Sequence, residues 1–450
     1  MRHRYYSVFL LLLSLGASRM THAQSWPNWN LPSGMNYSSY GVEVYDDAAP
    51  IKNLYINSST TLRAGGDQLD DIYDDNEVYL TGGTIYASAI DAADFTWNSG
   101  TLVLQGGEHT TSYGKLYASQ KNLVATSNAS LDLAESILLK NGNSLTVENG
   151  ATVNSSSYFE AGNYSHGTIL VQAGGRISTT SVMVLSGGQS RTTELVVDGT
   201  GSRVDADRMY VGAGEHSRQN HVRIEDGGTV QCAEMNVYGD STSGFPNPLL
   251  SNYTLVTGEG SSLTVNNRLN LSSPGTPGER DIPSYLDVAD GGQVTVGSEV
   301  SVANSSWITV GTGGQLRIGS APESDRALSI GADGMLEFRL GGPDDGTWND
   351  CLTVAGDAEL DGTLKLSLIG GYSPVHGASF NIFNWTGEVQ GEFASITTPA
   401  LEAGLEWDTS ALYTTGQLHV IPEPGTAALL AVFGSGLCFM RRLKITRNTY

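Results

Sequence analysis

The densest run of chemically capable side chains is acidic. Asp67, Asp70, Asp71, Asp74, Asp75 and Glu77 place six carboxylates within eleven residues. Calcium takes six to eight oxygen ligands, so such a run could chelate it. The spacing is neither that of an EF-hand nor that of a Gly-Gly-x-Gly-x-Asp repeat, and the alternative is a solvated acidic loop. Weak calcium binding or none is expected, and no other cofactor. Adjacent aspartate pairs occur at Asp46-Asp47, Asp70-Asp71, Asp74-Asp75 and Asp344-Asp345. Glycoside hydrolysis needs paired carboxylates facing one cleft, yet none of these pairs lies in the regular region between Gly150 and Gly313. His216 and His221 are too few for a metal site, and the chain has neither G-x-S-x-G nor H-E-x-x-H. Gly199-x-Gly201 and Gly258-x-Gly260 precede no helix, so they read as turns rather than phosphate cradles. No catalytic residue is assigned.

The elements that would carry any such site repeat. The segments 147–153, 171–177, 224–230, 288–294 and 310–316 share the form apolar-x-x-Gly-small-x-apolar. Two more, 197–204 and 256–263, carry one extra residue. Their anchor glycines are Gly150, Gly174, Gly201, Gly227, Gly260, Gly291 and Gly313, spaced 24, 27, 26, 33, 31 and 22 residues apart. A second apolar stretch ends ten or eleven residues after the glycine, at Val184, Val211, Val237, Leu271 and Val302. Each copy therefore reads as strand, glycine turn, strand, polar spacer, strand and variable loop. One copy cannot bury its apolar face alone; stacked copies can. The expected fold is all-β, a right-handed parallel β-helix or solenoid over residues 54–340. Eight coils would extend about 40 Å.

An open solenoid end exposes unpaired strand edges and needs a cap. Trp26, Trp29, Tyr37, Tyr40 and Tyr45 crowd into residues 24–53, read as an N-terminal aromatic cap. A carbohydrate-stacking platform is the functional alternative for those rings. After Leu340 the pattern changes, and residues 341–420 are read as a closing C-terminal β-module, similar to those that end solenoids in autotransporter-like proteins.

Both ends read as export signals. Arg2, His3 and Arg4 precede an apolar run and then Thr21-His22-Ala23, the order of a secretory signal peptide over residues 1–23. Cleavage after Ala23 would make Gln24 the first mature residue. At the other end, residues 421–450 place Pro422-Glu423-Pro424 before an apolar segment at 425–440, expected as a hydrophobic helix, and then Arg441 and Arg442. The basic pair would stay cytoplasmic. These three ordered parts resemble the PEP-CTERM family of bacterial sorting signals; an ordinary single-pass anchor is the alternative. The resemblance implies an exosortase, a membrane protease-transpeptidase, and the secretion machinery as partners. It also implies transient insertion in the inner membrane before transfer to the cell surface or extracellular matrix.

Charge narrows the partners. From Gln24 to Pro424 the chain has 17 basic and 47 acidic residues, a net charge of −30. Such a surface repels nucleic acid and anionic lipid. Of three cysteines, Cys438 lies in the tail, and whether Cys232 and Cys351 pair is open at this level. The expectation is a structural or adhesive surface protein and not an enzyme. A module that binds or degrades polysaccharide is the alternative, with extracellular polysaccharide as partner.

Overall fold

The computed structural model describes residues 121–423 apart from short connecting segments, the longest at 240–250 and 273–282. Upstream of residue 121 it describes strands without their side chains. Among the described residues the regular elements are all strands except one four-residue helix, Leu412–Thr415. The strands form a parallel β-solenoid. One sheet takes a strand from each coil, passing from Lys121–Thr126 through Thr193–Asp198, His221–Glu225, Asn252–Thr257, Ser284–Ala289 and Trp307–Val310 to Ser395–Thr397. That path contains eleven strands, or about 48 Å of stack at the usual strand spacing.

Alternation builds the core. Inward residues of successive coils stand in register, so like packs on like. Val147, Val171, Val197, Ile224, Val256, Val288, Val310, Phe338 and Leu366 form one such column. Val153, Ile177, Val204, Val230, Leu263, Val294, Leu316 and Leu352 form a second column on the second sheet. A third column on that sheet is set by the later apolar stretch and includes Met183, Met209, Met235 and Leu269. These side chains are buried. Full burial of one such side chain stabilises by about 1.5–3 kcal/mol, which is why a unit without internal packing holds once stacked.

The glycine turns show why the repeat reads as it does. At the copy around residue 227, Asp226 and Gly227 both take positive φ, 48° and 92°. Gly228 serves a different need. A Cβ there would approach the Val197 carbonyl oxygen of the preceding coil to under 3.0 Å. In the copies with an extra residue, this place is taken by Ser202 and Ser261, both buried. Their Oγ atoms accept the backbone N–H of Gly174 and Gly227, at 3.1 and 3.0 Å. A buried polar ladder lines another corner. The Asn252 side-chain oxygen accepts the Asn220 N–H and Nδ2, each at 2.8 Å, and its Nδ2 donates to the carbonyls of Ser217 and Tyr238.

Parallel pairing runs past residue 340. Cys351–Val354 pairs with Gln315–Ile318, Thr363–Leu368 with Met335–Leu340, and Ser395–Thr397 with Thr363–Leu368. The stack ends on a three-stranded antiparallel sheet of Ser379–Asn381, Gln417–Pro422 and Leu405–Asp408. At the other end, Trp29–Asn30, Asn36–Ser38 and Glu43–Val44 pair in parallel with later strands. Cys232 lies four ladder steps from the strand that begins at Cys351, through Val265, Val296 and Ile318. Four steps are about 19 Å, against the roughly 7 Å limit for a disulfide, so the two do not pair. Cys232 is a buried free thiol, pushed up to about 12 chiefly by burial.

Candidate functional site

The outer face of the first sheet carries the feature that most invites a functional reading. His221, Tyr253, Tyr285 and Trp307 occupy the same outward position on four consecutive strands and stand in register. Their rings stack, with centroids 3.9, 5.0 and 5.0 Å apart and planes inclined by 26°, 14° and 3°. Glu194 precedes His221 in the column and Met335 follows Trp307.

The geometry decides what the ladder can do. A sugar packs on the open face of an aromatic ring. Here each inner ring lies with its faces against its neighbours, so the column turns ring edges outward. The contacts stabilise: an aromatic pair contributes about 0.5–1.5 kcal/mol beyond the area it buries. Mutual covering also removes water from the polar atoms. Burial pushes the Tyr285 hydroxyl up to about 12, with Tyr253 and Asp287 adding to the shift against the pull of Arg339. Tyr253 is raised, again mainly by burial. His221 is held below its ordinary value by burial, with Arg223 in the same direction and Glu194 and a hydrogen bond with the Ser251 backbone opposing.

Charged side chains flank the ladder and are largely engaged with one another. Arg223 bridges Glu194 at 3.0 Å and Glu225 at 2.9 Å. Arg339 reaches across a coil to Asp287 at 3.2 Å. Lys365 meets Glu337 at 3.1 Å, and the Ser367 hydroxyl donates to the same carboxylate at 2.6 Å. Asp287 is nonetheless raised, because burial outweighs Arg339. On the second sheet Arg203 holds Asp205 and Gln231 at 2.7 Å, and Arg268 holds Glu299 at 2.9 Å. Among the described residues, no three His, Cys, Asp or Glu side chains gather where a metal ion could sit.

The residues singled out by sequence fall mostly elsewhere. Asp67, Asp70, Asp71, Asp74 and Asp75 lie outside the described residues; Glu77 opens the strand Glu77–Ala87, its side chain outside them. Ala23, Gln24, Pro424, Arg441, Arg442, His216 and the apolar segment 425–440 also lie outside. Among the described residues no helix is long and apolar enough to cross a membrane. Trp29 and Tyr37 fall in strands, whereas Trp26, Tyr40 and Tyr45 lie outside. Pro422 and Glu423 are both exposed. Pro422 ends the strand Gln417–Pro422 opposite Leu405, and the Glu423 N–H donates to the Gly404 carbonyl at 2.9 Å.

Sequence reasoning missed the aromatic ladder, although its signal was present. Each ring stands three residues before the buried apolar residue that opens a repeat: Ile224, Val256, Val288 and Val310.

No family model matches the chain, and no curated protein does. A solved structure, that of the TibC-catalysed hyperglycosylated TibA55-350 fragment, is similar over 81% of this chain and 98% of the fragment, at 14% identity and a TM-score of 0.24. That overlap is too loose to carry a function across.

Proposed function

We propose that this chain is an exported structural or adhesive component of the cell surface or extracellular matrix, and that an exosortase-type membrane protease acts on its tail. The observation that carries the reading is where the closing sheet ends. The closing sheet ends on Pro422, exposed, and the backbone remains hydrogen-bonded to it through Glu423. Pro422 and Glu423, the first two residues of the Pro422-Glu423-Pro424 motif, thus stand exposed at the end of the closing sheet. The stacked columns and paired surface charges suit a rigid, passive body. Polysaccharide binding is the second reading, favoured only by the aromatic content of residues 24–53.

The test is mass spectrometry of the native protein from cell, matrix and medium fractions. Loss of Arg441 and Arg442 from the surface or matrix form is expected. Replacing Pro422, Glu423 and Pro424 by Ala should leave a longer, membrane-retained species. A surface form that still carries Arg441 and Arg442 would make the tail a plain anchor.

A further inference from the structure

We infer that the closing antiparallel sheet is a stop that keeps proteases off the chain as far as Glu423. For processing in the cell this rests on the tail-removal reading above; as a property of the fold it stands by itself. A protease binds its substrate as an extended strand whose backbone hydrogen bonds are free to pair with the enzyme. In this chain those bonds are already used. Gln417–Pro422 is the central strand of the sheet: Ser379, Phe380 and Asn381 face His419, Leu418 and Gln417 on one side, and Leu405, Glu406, Trp407 and Asp408 face Pro422, Ile421, Val420 and His419 on the other. The Val420 N–H donates to the Ala378 carbonyl and the Val420 carbonyl accepts the Gly377 N–H, both at 2.9 Å.

Side chains lock the same strand. Leu418 and Val420 are fully buried, so peeling the strand would open the core. The outer strand is pinned as well. The Trp407 ring packs 5.5 Å from Phe380, and its Nε1 donates to the Pro399 carbonyl at 3.0 Å. Among the described residues the last backbone donor engaged is Glu423, on Gly404. Pro422 is exposed, yet its backbone is paired with Leu405. The sheet thus holds the chain up to and including the first two residues of Pro422-Glu423-Pro424.

The experiment treats the purified full chain in detergent with proteinase K at low ratio and reads the fragment termini by mass spectrometry. The stable fragment is expected to end at or beyond Glu423. Pro422→Ala should leave that boundary in place, which separates the sheet from the resistance of proline itself. Trp407→Ala should move it upstream, into 405–422. Should Trp407→Ala disturb the whole fold by circular dichroism, Trp407→Phe, which keeps the ring and loses the bond to Pro399, supplies the milder case. A wild-type fragment ending before Gln417, or a boundary that Pro422→Ala abolishes, would overturn the stop. A native protein carrying its full tail would overturn the tail-removal reading alone and leave the proteinase K boundary standing.

Discussion

Gly228→Ala tests the coil-to-coil contact that sets the repeat. The added methyl would lie under 3.0 Å from the Val197 carbonyl oxygen. Restoring van der Waals separation needs a local shift of about 1 Å. Two bonds between these coils lie beside the turn, Thr229 N–H to the Ser202 carbonyl at 3.0 Å and Gly199 N–H to the Glu225 carbonyl at 3.1 Å. A shift of that size takes both past hydrogen-bonding range. Each contributes about 0.5–1.5 kcal/mol, and overpacking costs about 1–3 kcal/mol. Partial relaxation makes these terms overlap, so a loss of about 2–4 kcal/mol is expected. Gly227→Asn is the comparison. It puts a side chain at a φ of 92°, which asparagine tolerates better than most residues, and its Cβ meets chiefly the movable Thr200 hydroxyl. Its cost should be smaller. Urea unfolding of residues 24–423, followed by circular dichroism with hydrogen exchange at Val197 and Ser202, measures both. If Gly228→Ala matched wild type, or Gly227→Asn cost more, the close approach would not be what selects the second glycine.

Tyr285→Ala removes two stacked contacts and should cost about 1–3 kcal/mol in unfolding experiments, whereas Tyr285→Phe should stay near wild type. Because its ring faces are covered, Tyr285→Ala should leave retention on polysaccharide affinity gels unchanged, and weakened retention would reopen the ladder as a binding surface. His221 is held below its ordinary value in the fold, so its contribution to stability is present above about pH 6.5 and fades as pH falls through the lowered value. Melting curves between pH 7 and 5 should therefore show a loss that His221→Phe reduces; equal slopes would exclude this histidine as the cause. Cys232 should resist thiol reagents in the native protein and react once urea unfolds it. Native labelling at Cys232 would show that its coil opens.

Much of the fold was legible because one physical rule wrote it many times. Val at alternate positions and glycine at a fixed offset recur wherever a coil must turn and bury one face. The legible part thins where the rule is met by other means. After Leu340 the anchor glycine pattern fades, yet Leu352, Leu364 and Phe383 still continue the inward columns. Packing there uses larger residues and fewer repeats of the motif, so periodicity alone marked a boundary where the pairing has none. The distinct duty of Gly228 was hidden for another reason. Positive φ is a local property that a turn motif announces, but closeness to Val197 belongs to a contact between coils. The aromatic ladder needed register too: four rings spread across residues 221–307 become neighbours only once the coils are aligned.

The same register argument bears on what the outer surface offers a partner. In an in-register stack, every outward side chain has a neighbour about 4.8 Å away in the next coil. Aromatic rings answer by stacking, and charges by pairing: Arg223 with Glu194, Arg268 with Glu299, Arg326 with Glu359, Arg339 with Asp287. Basic groups are the scarcer kind, so pairing consumes them and leaves the excess acids facing solvent. A partner therefore meets a stiff body with an acidic field, the inner rings of its ladder covered on both faces and many of its cations engaged. Neutral or cationic polymers and divalent ions approach such a surface without a charge penalty, whereas polyanions are repelled at low salt. Binding to an anionic polysaccharide at low ionic strength would contradict that electrostatic account, and would direct attention to the residues 24–53 that precede the regular coils.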